Sequence, residues 1–302
     1  MLSKIYEKIK IFIKENYKFI LSLIAIVFLL TYELPYVVYT PGGIVNLEKR
    51  ISVKNGYDSK GSINMSYVTL RKGNIPSILL SYVIKDWDLL KESEVTGSDE
   101  SVDDLLKLEK LYMTSSIDNA TILAYKKANK KINIKKNINN VIYVSENAKT
   151  DISLYDIILS VDGKDINNIK ELQDYIKTKN EGDIVYFKVI SNKKEVDRKA
   201  EVININGELK VGIAFLTTYE YETDPSITVK TKSSESGSSG GLMLSLAIYN
   251  AITKEDITKG KTIVGTGTID VLGNVGKIDG VKYKILGAGK NKADLFICPK
   301  DN

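Results

Sequence analysis

The hydrophobic pattern opens with one long apolar run. Residues 19–32, FILSLIAIVFLLTY, contain no charge, and five lysines precede them: Lys4, Lys8, Lys10, Lys14 and Lys18. These fourteen residues fall short of the ~20 that cross a bilayer as a helix, but extension to Tyr36 reaches that length if Glu33 lies among the headgroups. We expect an uncleaved single-pass anchor within residues 1–40, because TYELPYVVYTPGG has no A-x-A-like cleavage site. A cleaved signal peptide and a buried core helix are the competing interpretations.

The lysines before the apolar run predict the orientation of such an anchor. Positively charged residues favour the cytoplasmic side, so the amino terminus is expected in the cytoplasm. Residues 40–302 are then expected outside the cell membrane.

Short alternating runs follow the apolar segment. Residues 44–83 show the alternation that is typical of strands, as in INMSYVTL and IPSILLSYVI. LLKLEKLYMTSSIDNATILAYKKANKK, residues 105–131, has helical spacing. We therefore expect a strand-rich segment and a linking helix over residues 41–136, and neither indicates any chemistry.

Residues 141–205 predict the order strand, strand, helix and hairpin. VIYVSEN is a strand pattern, LYDIILSVDGKDI is a strand followed by an Asp-Gly turn, and IKELQDYIKTK is an amphipathic helix. The hairpin turn falls at residues 191–194. Two further strand-like runs, LKVGIAFL and SITVKT, then lead towards the next feature.

A loop rich in serine and glycine changes abruptly into an apolar helix at residues 231–250, TKSSESGSSGGLMLSLAIYN. The apolar positions leave too little polar surface for an exposed helix, so we expect this helix to be buried. Ser238 and Ser239 stand where the first backbone N–H groups of a helix have no internal partner. Three interpretations are open: a serine caps the helix, a serine attacks a carbonyl beside free N–H donors, or the loop binds phosphate or sulfate.

The chain contains no histidine, which excludes a Ser-His-Asp arrangement. A serine nucleophile needs another base, and a desolvated lysine is the main alternative. Residues 265–284, GTGTIDVLGNVGKIDGVKYK, carry Lys282 and Lys284, which point about 200° apart on a helix. Lys284 falls on the apolar stripe of that helix, and burial there would lower its pKa towards neutrality. The stripe is marked by Val281, Ile285 and Ala288.

Two of these segments resemble one enzyme family. GSSGGLM resembles the GPSAG-type nucleophile loop of Lon-type serine peptidases, and GTGTIDVLGNVGKIDGVKYK resembles the segment that brings their lysine. The resemblance implies that Ser239 is the nucleophile, that Lys284 is the general base and that Thr266 helps to orient the lysine. Relatives of this family usually continue through another strand and helix, so the protease domain is expected to be short at its carboxyl terminus. Four positions depart from the family pattern without removing a reacting group: Ser238, Gly240, Lys277 and Asp279.

A second resemblance concerns the middle of the chain. LYDIILSVDGKDI resembles the recurrent core of bacterial protease-associated PDZ domains, with Tyr155 in place of the usual glycine. The implied domains are a PDZ domain at residues 137–206 and a Lon-type protease domain at residues 207–302. PDZ domains bind the carboxyl terminus of a peptide as an added strand. Strands such as those of residues 44–83 pack with the peptidase in membrane-anchored relatives. The implied peptide-binding strand contains Val141, Ile142, Tyr143 and Val144.

Composition removes several functional classes. The net charge of +5 is spread over 302 residues without a basic and aromatic platform, so nucleic acid is not an expected partner. No G-x-x-x-x-G-K-[ST] motif occurs, so ATP is not expected to act in this chain, and no cofactor or metal is expected.

These observations together predict an α+β fold with an N-terminal transmembrane helix, a PDZ-like domain and a Lon-type protease domain. The implied function is an ATP-independent, membrane-anchored serine endopeptidase that cleaves extracytoplasmic peptides or flexible protein segments with a Ser-Lys dyad. A catalytically inactive PDZ scaffold at the membrane is the alternative.

Overall fold

The structure, a computed structural model, describes residues 2–96, 102–232 and 235–302. Ser233 and Ser234 of the serine-rich loop therefore lie outside the described residues. The helices are α1 Leu2–Thr31, α2 Ile75–Val83, α3 Glu92–Thr96, α4 Val102–Lys127, α5 Ile169–Ile176, α6 Gly241–Ile252 and α7 Val281–Lys290.

The strands fall into three groups along the chain. The first group is β1 Glu33–Asn46, β2 Ile51–Val53, β3 Ser62–Asn74 and β4 Asp88–Lys91. The middle of the chain forms β5 Lys131–Val144, β6 Ile157–Val161, β7 Lys164–Asp165, β8 Ile184–Ser191, β9 Lys194–Glu201, β10 Ile203–Ile205, β11 Glu208–Lys210 and β12 Ile213–Asp224. The last part forms β13 Ile227–Val229, β14 Thr262–Gly265, β15 Thr268–Ile269, β16 Val275–Gly276 and β17 Leu295–Ile297.

One five-stranded sheet combines strands from the two ends of the sequence. Its order is β17-β14-β3-β1-β4, and β14 pairs in parallel with both β3 and β17. The pairing of β1 with β3 and with β4 is antiparallel. The early strands therefore pack with the segment that carries the lysines, as the family resemblance implied.

The core beside this sheet contains α4 and α6. Leu244, Ala247 and Ile248 of α6 are buried, which confirms the prediction of a buried helix. α4 packs against α6 and contributes Tyr125, whose hydroxyl donates to the carbonyl oxygen of Pro225. This core draws on both ends of the chain, because it also includes Leu47 and Ile63.

A second sheet, of order β12-β5-β6-β8-β9, has its own apolar core. Its predicted turns are confirmed: Asp162 and Gly163 both have positive φ, as do Asn192 and Lys193 in the β8–β9 hairpin. Such paired positive φ angles match the right-handed twist of the flanking strands. α5 begins after Asn168, whose side chain accepts the Glu171 N–H. The predicted order of strands, helix and hairpin is present.

The strand expected for IPSILLSYVI is wrong, because these residues form α2. Asn74 accepts the Ser77 N–H at 3.0 Å, and the Ser77 hydroxyl accepts the Asn74 N–H at 2.9 Å. This reciprocal cap satisfies two backbone donors at once and starts a helix. Pro76 stands in the first turn, where its missing N–H costs nothing. The sequence contains both the capping residues and the proline, but the apolar alternation of this segment favoured a strand.

The expected transmembrane anchor is also wrong. In the described part of the chain, no helix has both the length and the hydropathy of a membrane span. α1 ends at Thr31 and β1 starts at Glu33, so the helix does not continue to Tyr36. Its uncharged part, residues 19–31, is about 20 Å long at 1.5 Å per residue, against roughly 30 Å of hydrocarbon. The predicted single-pass location, with residues 40–302 outside the cell membrane, depends on this anchor and is therefore wrong as well.

Candidate active site

Ser239 lies in the turn that leads into α6. Gly240 takes the N-cap position and has no side chain, so the helix start described here has no serine cap. The carbonyl oxygen of Ser238 accepts the Ser116 hydroxyl at 3.0 Å, and the carbonyl oxygen of Ser239 accepts the Gly267 N–H at 2.7 Å. The backbone is therefore held on both sides of the Ser239 side chain.

A short hydrogen-bond path joins Lys284 to the serine loop. Lys284 Nζ donates to Thr266 Oγ1 at 3.2 Å, and Thr266 Oγ1 donates to the carbonyl oxygen of Ser239 at 3.0 Å. Thr266 is fully buried, and its N–H donates to the carbonyl oxygen of Ile297 at 2.9 Å. The three residues singled out from the sequence thus meet at the start of α6, although they come from separate elements.

The two lysines of α7 have different surroundings. Lys284 is only 4% exposed, and burial lowers its pKa to about 8 from 10.5, against the attraction of Asp279. Lys282 is exposed, and its Nζ lies 3.0 Å from Asp88 Oδ2. A buried amine without a close carboxylate favours its neutral form, which can accept a proton.

The buried face of α7 differs at one position from the apolar stripe predicted from the sequence. Ile285 is 48% exposed, whereas Gly287 and Ala288 are buried with Lys284. α7 rests on β1, where the ideal Cβ of Gly287 would lie only 3.0 Å from the carbonyl oxygen of Gly42. The buried face of α7 is therefore set by small residues that allow close approach of two backbones, and not by a large apolar side chain at position 285.

A cleft of about 740 Å³ opens beside Ser239. Its walls come from β1 with the turn that follows it, β3, α4 and the serine-rich loop, so four separate chain segments define it. Its apolar lining includes Ile44, Val45, Met65 and Met113. Its charged lining is Lys49, Arg50, Lys232 and Glu235. A cleft with both an apolar lining and charged groups suits an extended peptide with side chains of both kinds.

Two contacts hold the serine-rich loop over the cleft. Arg50 and Glu235 form a largely buried ion pair, and the Lys232 N–H donates to Glu235 Oε2 at 2.8 Å. The Gly237 N–H donates to the carbonyl oxygen of Glu109 at 2.9 Å. Burial raises the pKa of the Glu109 carboxyl, and the charge of Asp279 raises it further. The loop is therefore fixed from the turn before β2 on one side and from α4 on the other.

The predicted peptide-binding strand lies inside the second sheet. Val141, Ile142, Tyr143 and Val144 belong to β5, and β12 pairs along this stretch from Ile213 to Phe215. A peptide cannot add as a strand at an edge that another strand already occupies. β12 forms one end of this sheet and β9 the other; β12 lies beside α5 and follows Gly212, whose φ is +72°. Along this stretch β12 therefore occupies one side of β5, and within the described residues no strand pairs with the outer edge of β12.

Sequence reasoning missed the contribution of α4 to the site. Glu109 and Ser116 contact the serine-rich loop through hydrogen bonds that span more than 100 positions of sequence. No local pattern carries such a contact, and α4 reads only as a linking helix. Tyr155 was noted as a departure from glycine, and its φ of +68° gives the reason for the usual glycine.

Comparison with family models finds two matches in this chain. Residues 135–202 match the family model of the PDZ domain, and residues 229–302 match that of the Lon protease (S16) C-terminal proteolytic domain. A search of curated proteins finds no match.

Solved structures show similarity in the PDZ region. The PDZ domain of the SdrC-like protein from Listeria monocytogenes is 20% identical with a TM-score of 0.26, over 28% of this chain and 92% of that one. The corresponding domain from Listeria innocua is 26% identical with a TM-score of 0.24, over 26% of this chain and 92% of that one.

The chain thus combines a PDZ domain with a Lon-type proteolytic domain. These two matches support a serine protease of the Lon type that carries a PDZ module. A peptide or protein is the substrate class that such domains suggest.

Proposed function

We propose that this protein is an ATP-independent endopeptidase that uses Ser239 as nucleophile and Lys284 as general base. The observation that carries the proposal is the buried path from Lys284 Nζ through Thr266 Oγ1 to the backbone of Ser239. A neutral Lys284 amine accepts the proton of the Ser239 hydroxyl as its oxygen attacks the peptide carbonyl carbon. The protonated amine then donates to the leaving nitrogen as the peptide bond breaks, which leaves an acyl-serine and a neutral lysine. Water attacks the acyl-serine next, with Lys284 as the base again.

The start of α6 supplies the electrostatic part of this mechanism. Ser239 and Gly240 line the cleft, and their N–H groups stand at the positive end of a buried helix. Donors of this kind stabilise the oxyanion that forms when the carbonyl carbon becomes tetrahedral. Thr266 has a positioning role, because it fixes both the Lys284 amine and the Ser239 carbonyl.

A division of the chain into two units supports separate roles for the two domains. We assign residues 131–224, from β5 to β12, to the PDZ unit, inserted between the parts of the proteolytic unit. This unit adds a substrate segment as a strand along β12, beside α5, and holds it near the cleft. Its peptide-binding residues are then Ile213, Ala214, Phe215 and Leu216, in place of Val141–Val144.

A fluorophosphonate probe tests the nucleophile directly. We expect covalent labelling that maps to Ser239 and is lost in Ser239→Ala. Lys284→Ala should lose labelling by at least a hundredfold, whereas Lys282→Ala, two residues away on the exposed face, should stay within about twofold of the parent protein. The labelling rate of Thr266→Val should lie between those of Lys284→Ala and Lys282→Ala, because the lysine remains but loses its orienting hydroxyl oxygen. Circular dichroism of each variant controls for loss of fold.

The opposite pattern of lysine variants would reject the dyad. A folded Lys284→Ala protein that labels at the parent rate contradicts the role of Lys284. Absence of labelling in the parent protein, together with peptide binding at the second sheet, would favour the inactive scaffold.

Hydrogen exchange tests the groove. A library of peptides with free carboxyl termini is screened for binding, and amidated copies of the binders serve as controls. We expect the bound peptide to protect amides at residues 213–216. Protection at residues 141–144 without protection of β12 would return the site to β5.

A further inference from the structure

α4 lies between the serine-rich loop and the terminal strand of the PDZ unit. It packs against α6 on one side and against β12 on the other. Consecutive residues of a helix point about 100° apart, so neighbours in sequence can contact different structural units. Ser115 and Ser116, which are 4% and 3% exposed, are such a pair.

The face of α4 that carries Ser116 holds the nucleophile segment. Ser116 Oγ donates at 3.0 Å to the carbonyl oxygen of Ser238, the residue directly before the proposed nucleophile. An ideal Cβ at Gly241 would lie only 2.7 Å from this hydroxyl oxygen, so the first turn of α6 has no space to move towards it. Two helical turns earlier, the carbonyl oxygen of Glu109 accepts the Gly237 N–H. α4 therefore holds the two residues directly before Ser239, through the Gly237 N–H and the Ser238 carbonyl oxygen.

A different face of the same helix holds β12. Ser115 Oγ donates at 2.9 Å to the carbonyl oxygen of Thr217. The carboxylate of Asp118, which is 7% exposed, accepts the Tyr219 N–H at 2.9 Å. These residues of β12 directly follow residues 213–216, so one continuous strand carries both the proposed groove and the contacts with α4.

We infer that Ser116 is a positioning residue for the serine loop, and that α4 couples its position to β12 through Ser115 and Asp118. A peptide that adds to β12 stiffens or shifts this strand, and buried hydrogen bonds transmit the change to α4 because each would otherwise leave a polar group unpaired. The carbonyl of Ser238 follows Ser116, and the adjoining N–H and hydroxyl of Ser239 turn with it. The inference rests on the proposed function of Ser239 as nucleophile.

Three single substitutions on adjacent positions of α4 test the inference in the full chain. Ser116→Ala removes the contact with the loop, and Ser115→Ala removes only a contact with β12. Thr114→Ala is the matched control, because Thr114 is exposed and its hydroxyl bonds within its own helix to the Lys110 carbonyl. Each variant is measured for fluorophosphonate labelling rate, for kcat and KM on a short peptide, and for amide hydrogen exchange at residues 237–242.

Loss of one buried hydrogen bond changes an equilibrium by roughly fivefold, which sets the expected scale. We expect Ser116→Ala to lower the labelling rate and kcat by about fivefold or more at unchanged KM, with faster exchange at residues 237–242. Ser115→Ala should change both readouts in the same direction by at least about twofold, although it does not touch the loop. Thr114→Ala should match the parent protein in all three measurements.

Two results would overturn the inference. Parent-like labelling and exchange in Ser116→Ala would remove the positioning role, and a Ser115→Ala protein indistinguishable from Thr114→Ala would remove the coupling to β12. If Ser116→Ala fails to fold, the inference is decided by whether Ser115→Ala differs from Thr114→Ala in labelling rate and in hydrogen exchange. Absence of labelling in the parent protein rejects the proposed function instead, and the exchange readout still decides the coupling.

Discussion

The pH dependence of serine labelling follows from the burial of Lys284. Its pKa of about 8 lies some 2.5 units below the ordinary value of 10.5, equivalent to about 3 kcal/mol of lost stabilisation of the charged form. At pH 7 about one-tenth of such a lysine is neutral, against about 1 in 3,000 for an ordinary lysine. Burial therefore raises the concentration of competent base roughly 300-fold at neutral pH.

The assay is the rate of fluorophosphonate labelling of Ser239 between pH 6 and 9.5. We expect the rate to rise about tenfold per pH unit at first and to level off above pH 8, because only the neutral amine accepts the serine proton. Asp279→Asn provides an internal check. The negative charge of Asp279 raises the pKa of Lys284, so its removal should move the midpoint to lower pH.

Three outcomes would refute this reasoning. A rate that is flat from pH 6 to 9 would mean that no group titrating near 8 controls the attack. A rate that still rises at pH 9.5 would mean that Lys284 keeps an ordinary pKa, and that its burial does not persist in solution. A midpoint that moves upwards in Asp279→Asn would contradict the assigned electrostatics.

Three further predictions concern stability, measured as the free energy of unfolding in denaturant. Lys284→Met should be inactive yet more stable than the parent protein at pH 7, by up to about 3 kcal/mol. The lowered pKa of folded Lys284 costs stability wherever the lysine of the unfolded chain is still charged, so this gain should shrink by pH 10. Burial raises the pKa of Asp118 from 3.8 to about 6, so its contribution to stability falls as the pH rises through this range. The parent protein should lose about 1.4 kcal/mol relative to Asp118→Asn between pH 5 and 7.5. Arg50→Met leaves Glu235 largely buried without its partner and should cost about 3 kcal/mol, whereas Lys135→Met breaks an exposed ion pair and should cost under about 1 kcal/mol.

Each of these predictions has a contrary result. A Lys284→Met protein less stable than the parent at pH 7 would mean that the lysine stem packs better than methionine and that its charge is not penalised. An unchanged difference between the parent and Asp118→Asn across pH 5 to 7.5 would mean that Asp118 titrates normally. Equal losses in Arg50→Met and Lys135→Met would show that burial does not strengthen the loop contact.

The amino-acid sequence predicts the groups that we propose to react and the local elements near them. Two local features depend on neighbours within one or two helical turns: the change from polar loop to apolar helix at Gly240, and the lysine on the inner face of α7. The absence of histidine is read directly from the composition. The two turns with paired positive φ in the second sheet are equally local, since Asp162, Gly163 and Asn192 tolerate left-handed backbone. Such features are readable because spacing along the chain fixes spacing in the element.

Tertiary structure decided which elements meet and where they end. β3 pairs with β14 across about 200 positions, and its register depends on a strand edge that no local pattern specifies. The same applies to β12, whose place at the end of the second sheet moves the proposed groove away from β5. α1 stops at Thr31 because the residues after it join the first sheet as β1, and the spanning segment read from hydropathy alone disappears. From the sequence, α4 is predicted only as a linking helix. In the fold, one face of α4 contacts the serine-rich loop and another contacts β12. The sequence does not specify these contacts, because the partner of a buried polar group is set by which elements pack together.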